Sequence, residues 1–161
     1  MYNIAVVLAA GNGTRMGIDK SKLLIDIGGK TVIERSVAVF ENMAEIDEII
    51  VVCRECDVET FSKLLPQENI TFVIGGETRQ QSVKNAVETI DDCDYIIIHD
   101  GARPLVTPET VVKTHCDIAR KLQMLFLVYS DGNKVGLIKQ YVGCHQNGII
   151  HKSHIDIILM F

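Results

Sequence analysis

The sequence predicts an α/β fold built on a mostly parallel sheet. Three observations carry that prediction. Four short apolar runs, Ile4–Ala10, Glu48–Cys53, Ile70–Ile74 and Asp94–His99, read as strands. The clearest, Ile49-Ile50-Val51-Val52, is β-branched throughout, as a strand buried on both faces would be. Helical periodicity fills the intervals, with Ile33, Val37 and Phe40 on one face and Val83, Ala86, Val87 and Ile90 on another. Polar clusters follow the first, third and fourth runs. Strands alternating with helices imply βαβ units and right-handed crossovers. Such sheets bind ligands at the carboxyl ends of their strands, where the strand order reverses.

In chain order, the first strand ends in Leu8-Ala9-Ala10-Gly11-Asn12-Gly13-Thr14-Arg15-Met16-Gly17. Glycine lets the backbone approach a ligand, and successive N–H groups in such a turn form an anion-binding concavity. Arg15 adds a planar fork of donors suited to phosphate, and Lys22 a second, more mobile charge. A glycine-rich turn with no ligand is the alternative. The turn departs from the dinucleotide fingerprint at Met16, which counts against an NAD-binding protein, and it lacks the lysine of a Walker loop.

Leu23–Ile27 is a short apolar stretch before a Gly28-Gly29 turn. Thr31 and Glu34 form a capping box at the start of the first helix. Val58–Leu65 is a helix stopped by Pro66. Gly75-Gly76 closes the third strand, and Thr78 with Gln81 is a second capping-box candidate. Asp100-Gly101-Ala102-Arg103-Pro104 is a loop after the fourth strand, and Thr107-Pro108 opens a helix.

Composition sets limits. The 161 residues make one domain the default. No apolar run reaches the ~18 residues of a membrane span. The N-terminus enters a strand with no leader pattern, so the cytoplasm is the expected compartment. A net charge of −5 argues against a nucleic-acid-binding surface. Cys53-x-x-Cys56 has the form of a redox pair, but Cys53 ends an apolar strand, where cysteine usually packs. His151 and His154 read as surface histidines. Residues 1–104 carry a charge balance of −7 and residues 105–161 a balance of +2, so the chain changes character near its end.

These residues point to chemistry at a phosphate. Asp100, at a strand end beside phosphate-binding groups, is a natural Mg²⁺ ligand, with loop capping as the alternative. Arg79 and Arg103 would pair with Asp100 or with substrate phosphate, and the Ser82 hydroxyl is available to a base or sugar. No nucleophilic Ser–His or Cys–His set is evident. Metal-assisted transfer, by positioning and electrostatics, fits this inventory.

The motifs Ala9-Ala10-Gly11-x-Gly13-x-Arg15-Met16-Gly17, Ser21-Lys22, Gly75-Gly76-x-x-Arg79-x-x-Ser82-Val83 and His99-Asp100-Gly101-Ala102-Arg103-Pro104 together resemble the 2-C-methyl-D-erythritol 4-phosphate cytidylyltransferase family. The resemblance covers residues 3 to about 113. It implies a Rossmann-like, GT-A-like nucleotidyltransferase fold, a three-layer sandwich around the sheet. It also implies Mg²⁺-dependent cytidylyl transfer from CTP to methylerythritol phosphate, with release of pyrophosphate, in non-mevalonate isoprenoid synthesis. Arg15 and Lys22 match the family's catalytic cations. Ala9, Ala10, Gly11, Gly13, Gly76, Glu77, Arg79, Ser82 and Gly101 match nucleotide-binding positions. Asp100 matches the metal ligand, and Arg103 would face the acceptor. The similar ribitol-5-phosphate cytidylyltransferases are the nearest alternative, and an inactive CTP-binding remnant is another.

The family continues with a β-arm exchanged in a homodimer and with acceptor-binding segments. None of these is recognisable here. The expected organisation is therefore a nucleotide-binding domain over residues 1–120 and a divergent tail over 121–161, as a truncation or a frameshift near 114–121 would leave. An uncovered sheet edge and reduced stability are expected to follow.

Overall fold

The computed structural model describes residues 2–11 and 21–112, together with strands at 125–130, 135–140 and 156–159. Its centre is β1 (Asn3–Leu8), with β2 (Glu48–Cys53) on one side and β4 (Tyr95–Asp100) on the other, both parallel to it. β3 (Ile70–Ile74) extends the sheet beyond β2. β7 (Asp156–Leu159) lies beyond β4, pairing Tyr95 through Ile98 with Asp156 through Leu159. The order β3-β2-β1-β4-β7 is parallel throughout. β5 (Leu125–Ser130) and β6 (Val135–Gln140) form a separate antiparallel pair. The tail thus supplies the strand on the β4 edge, which the sequence reading leaves uncovered.

Alternation along the strands sorts the core into two layers. Ala5, Val7, Ile49, Val51 and Ile97 face α1 (Val32–Glu41) and α2 (Val58–Leu64). Ile4, Val6, Ile50, Val52, Ile96 and Ile98 face α3 (Arg79–Thr89) through Val83, Ala86 and Ile90. A helix begins at 108, and its Val111 joins the α1 layer. This is the three-layer α/β sandwich the sequence predicts. Among the described residues no helix is long and apolar enough to cross a membrane.

Three boundaries differ from the sequence reading. β1 stops at Leu8, where its residue-by-residue pairing with β2 and β4 ends. Asp100 is the last residue of β4, paired opposite Leu8, rather than part of the following loop. α2 ends at Leu64, and Leu65 caps it ahead of Pro66. The second capping box is only half formed. The Thr78 hydroxyl accepts from the Gln81 N–H at 3.1 Å, but the Gln81 side chain accepts from the Glu77 N–H at 3.2 Å instead of returning to Thr78. Cys53 is buried, and burial pushes its thiol up to about 11, which suits packing and not redox exchange. His151 and His154 lie outside the described residues.

The first capping box is complete. Glu34 N–H donates to the Thr31 hydroxyl at 3.4 Å, and the Glu34 carboxylate accepts from Thr31 N–H at 2.7 Å and from its hydroxyl at 2.6 Å. The hydroxyl first, and then the N–H, hold the Glu34 carboxyl below its ordinary value. A carboxyl depressed in the folded state contributes stability above its unfolded pKa and loses it as pH falls through the folded value. Thr31→Ala is expected to cost about 1 kcal/mol, read as a lower urea midpoint at unchanged slope, with Thr31→Ser close to wild type. Glu34→Gln is expected to flatten the acid limb of stability below about pH 4.5.

Candidate functional site at the carboxyl edge of the sheet

From β1 the chain steps outward to β2 and β3, then returns to place β4 on the other side of β1. The order reverses between β1 and β4, and the carboxyl ends of these strands flank the crevice where an α/β sheet binds its ligand. The ladder runs slightly past the strands. Ala9 N–H donates to the Val52 carbonyl at 2.6 Å, Gly75 N–H to the Cys53 carbonyl at 2.9 Å, and Gly101 N–H to the Leu8 carbonyl at 2.9 Å. The three loops leave the sheet side by side.

The loop after β3 lies against the loop after β1. A Cβ on Gly75 would overlap the Ala10 methyl and stand 3.0 Å from the Ser82 hydroxyl. Ser82 is buried, and its hydroxyl accepts from the Gly76 N–H at 3.1 Å and donates to the Thr78 carbonyl at 3.0 Å. It shapes the glycine turn. Asn85, one helical turn on, donates to the Ile74 carbonyl at 2.9 Å. α3 thus holds the turn it follows, and its N-terminus opens at the crevice. Glu77 and Arg79 are exposed at that end.

The loop after β4 is a hydrogen-bonded turn. Arg103 N–H donates to the Asp100 carbonyl at 3.0 Å, and Ala102 N–H to the Asp100 carboxylate at 3.3 Å. The Arg103 guanidinium is 3.8 Å from the same carboxylate, with both side chains substantially exposed. Such an exposed pair orients more than it stabilises. Gly101 has no room for a side chain, since a Cβ would meet the Leu8 carbonyl oxygen at 2.9 Å.

Two buried side chains hold this turn from beneath. Ser36 of α1 donates to the Gly101 carbonyl at 2.8 Å. His99 Nε2 is 3.2 Å from the Arg103 carbonyl. A carbonyl only accepts, so Nε2 carries the proton and donates. Among the described residues the buried His99 Nδ1 has no hydrogen-bond partner, and the ring tilts against Phe40 at 5.4 Å between centroids. Burial holds the imidazole pKa below its ordinary value.

The structure brings Ala9, Ala10, Gly11, Gly76, Ser82, Asp100, Gly101 and Arg103 to this one edge. Lys22 opens a single 3₁₀ turn (Lys22–Leu24) that Ser21 caps and the buried Leu23 anchors to the α1 layer. Gly13 and Arg15 lie outside the described residues. Among the described residues no cluster of three or more His, Cys, Asp or Glu side chains is arranged to hold a metal alone. Asp100 offers one hard, partly exposed carboxylate, which fits a Mg²⁺ site completed by substrate phosphates and water. Sequence reasoning misses Ser36, Asn85 and the role of His99. The signal for Ser36 was present, because it falls three residues after Ile33 on the buried face of α1.

Gly75→Ala is expected to cost about 1–3 kcal/mol, since the new methyl overlaps the Ala10 methyl and crowds the Ser82 hydroxyl. Gly11→Ala is expected to stay near wild type, because among the described residues its Cβ would meet nothing within 4 Å. Urea midpoints at unchanged slope decide both. Equal effects at the two positions would remove the close approach of the loops as a constraint.

Comparison with known proteins agrees with this geometry. The family model described as IspD, 2-C-methyl-D-erythritol 4-phosphate cytidylyltransferase, matches residues 3–131. A protein of that name from Clostridium tetani is 41% identical over 115 residues, covering 69% of this chain and 47% of its own length. One from Rhodococcus jostii is 37% identical over 110 residues, covering 68% and 48%. The chain spans about half the length of these curated relatives. The crystal structure of 4-diphosphocytidyl-2C-methyl-D-erythritol synthase from Anaerococcus prevotii superposes with a TM-score of 0.64 at 28% identity, covering 86% of this chain and 63% of that one. The bifunctional IspDF of Campylobacter jejuni shares the fold, with a TM-score of 0.66 at 22% identity, over 88% of this chain and 38% of that one. The chain belongs to the 2-C-methyl-D-erythritol 4-phosphate cytidylyltransferase family, a family of nucleotidyltransferases.

Proposed function

We propose that the protein transfers the cytidylyl group of CTP to 2-C-methyl-D-erythritol 4-phosphate, with Mg²⁺. The observation that supports this reading is that the described residues of three of the four family motifs, Ala9–Gly11, Gly75–Ser82 and His99–Arg103, lie at the carboxyl edge of one sheet, whose strand order reverses between β1 and β4. An oxygen of the acceptor phosphate attacks the α-phosphorus of CTP, and the bond to the β-phosphate oxygen breaks as pyrophosphate leaves. Substrate supplies the nucleophile, so the protein's work is positioning and charge stabilisation.

The backbone of Ala9, Ala10 and Gly11 and the Gly76–Glu77 turn hold the nucleotide, with Arg79 at the start of α3. Arg15 and Lys22 stabilise the charge that grows on the phosphoryl oxygens. The Asp100 carboxylate would hold Mg²⁺, which would supply charge neutralisation at the triphosphate. Arg103 keeps that carboxylate oriented and faces the acceptor phosphate.

A second reading rests on coverage. The matched segment is about half of each curated relative, so a CTP·Mg²⁺-binding unit that fails to position an acceptor is the competing outcome. Pyrophosphate release from CTP and Mg²⁺ separates the two. The expected result is release with methylerythritol phosphate and not with ribitol 5-phosphate, reduced about 10²–10³-fold in Arg15→Ala. CTP binding with no release would establish the second reading. Release with ribitol 5-phosphate alone would reassign the acceptor.

A further inference from the structure

We propose that His99 and Ser36 are positioning residues that latch the Asp100–Arg103 turn to the core and thereby aim the Asp100 carboxylate. The turn has two carbonyls that face inward, and each takes one buried side-chain donor. Gly101 receives Ser36 at 2.8 Å, and Arg103 receives His99 at 3.2 Å. Neither donor shares the loop's own hydrogen bonds, which run from Ala102 and Arg103 N–H to Asp100. Ser36 is fully buried and His99 nearly so, and both stand on regular elements, α1 and β4.

A donor withdrawn from a buried or part-buried carbonyl leaves it unsatisfied within the fold, and the turn gains freedom to reach water. That freedom is what a carboxylate must lack if it is to meet a cation at a fixed place. The Nδ1, which has no hydrogen-bond partner among the described residues, fits this account. The buried ring packs against Phe40, and its Nε2 makes the bond to the turn. The consequence for nucleotide binding rests on the proposed role of Asp100, but the latch itself does not.

The test uses the full chain with His99→Leu, which keeps bulk and removes the donor, His99→Gln, which restores an N–H near Nε2, and Ser36→Ala. Amide hydrogen exchange across 101–103 reads the latch directly. Exchange about tenfold faster is expected in His99→Leu and in Ser36→Ala, with substantial recovery in His99→Gln, while β1 and β2 amides keep wild-type rates. Calorimetric titration of CTP with and without Mg²⁺ reads the consequence. The metal-dependent gain in affinity is expected to shrink several-fold in the two donor-less variants, while metal-free CTP binding holds. Unchanged protection of 101–103 in both overturns the proposal. If His99→Leu does not fold, Ser36→Ala and His99→Gln decide it by the same exchange measurement. Faster exchange with an undiminished metal-dependent gain, in these variants and in Asp100→Asn alike, keeps the latch and removes Asp100 from the metal site.

Discussion

The Gly101 N–H meets the Leu8 carbonyl at 2.9 Å, with no space between the two backbone segments for a side chain. This contact carries the β1–β4 ladder past the end of both strands. It fixes where the fourth loop starts relative to the first, and every polar group proposed for the site is measured from that origin. A Cβ at residue 101 would press on backbone and on the core side chains Val7 and Ile33, none of which yields as a long flexible chain does. The crevice is therefore set by backbone approach, and only afterwards furnished with charge.

The same logic governs the other flank. Gly75 lets the β3 loop lie on Ala10, and Ser82 and Asn85 of α3 bind the carbonyls and N–H of that loop from the helix behind it. On the β4 side, Ser36 of α1 and His99 do the equivalent work. Each face of the sandwich thus contributes one helix that holds one loop. The apolar layers fix those helices, so hydrophobic burial far from the crevice decides the position of polar backbone at its rim.

Much of this was legible in the sequence because parallel strands announce themselves. Ile49 to Val52 has no polar alternation, and it is buried on both faces. Thr31 and Glu34 have the residue types and spacing of a capping box, and both reciprocal bonds form. Thr78 and Gln81 have nearly the same pattern and form half of one, because the choice of N–H that Gln81 caps is made by the turn preceding it. The contact that needs Gly75 joins it to Ala10, sixty-five positions away in sequence, and no local pattern specifies it. Position 85 likewise reads as an exposed helical asparagine until the carbonyl of Ile74 is placed beneath it.

Asp100 shows how the bland and the sharp reading of one residue coincide. As a strand-end aspartate it caps its own turn, accepting from Ala102, and it meets Arg103 at 3.8 Å. Loop capping uses one carboxylate oxygen and a half-exposed ion pair faces the other, so capping consumes little of its capacity as an oxygen ligand. The capping bond restricts the side chain to few rotamers, which lowers the entropy lost when a cation or a phosphate-bound cation arrives. In this loop the structural role prepares the chemical one, and a substitution that spared charge but lost the turn would be expected to fail at both.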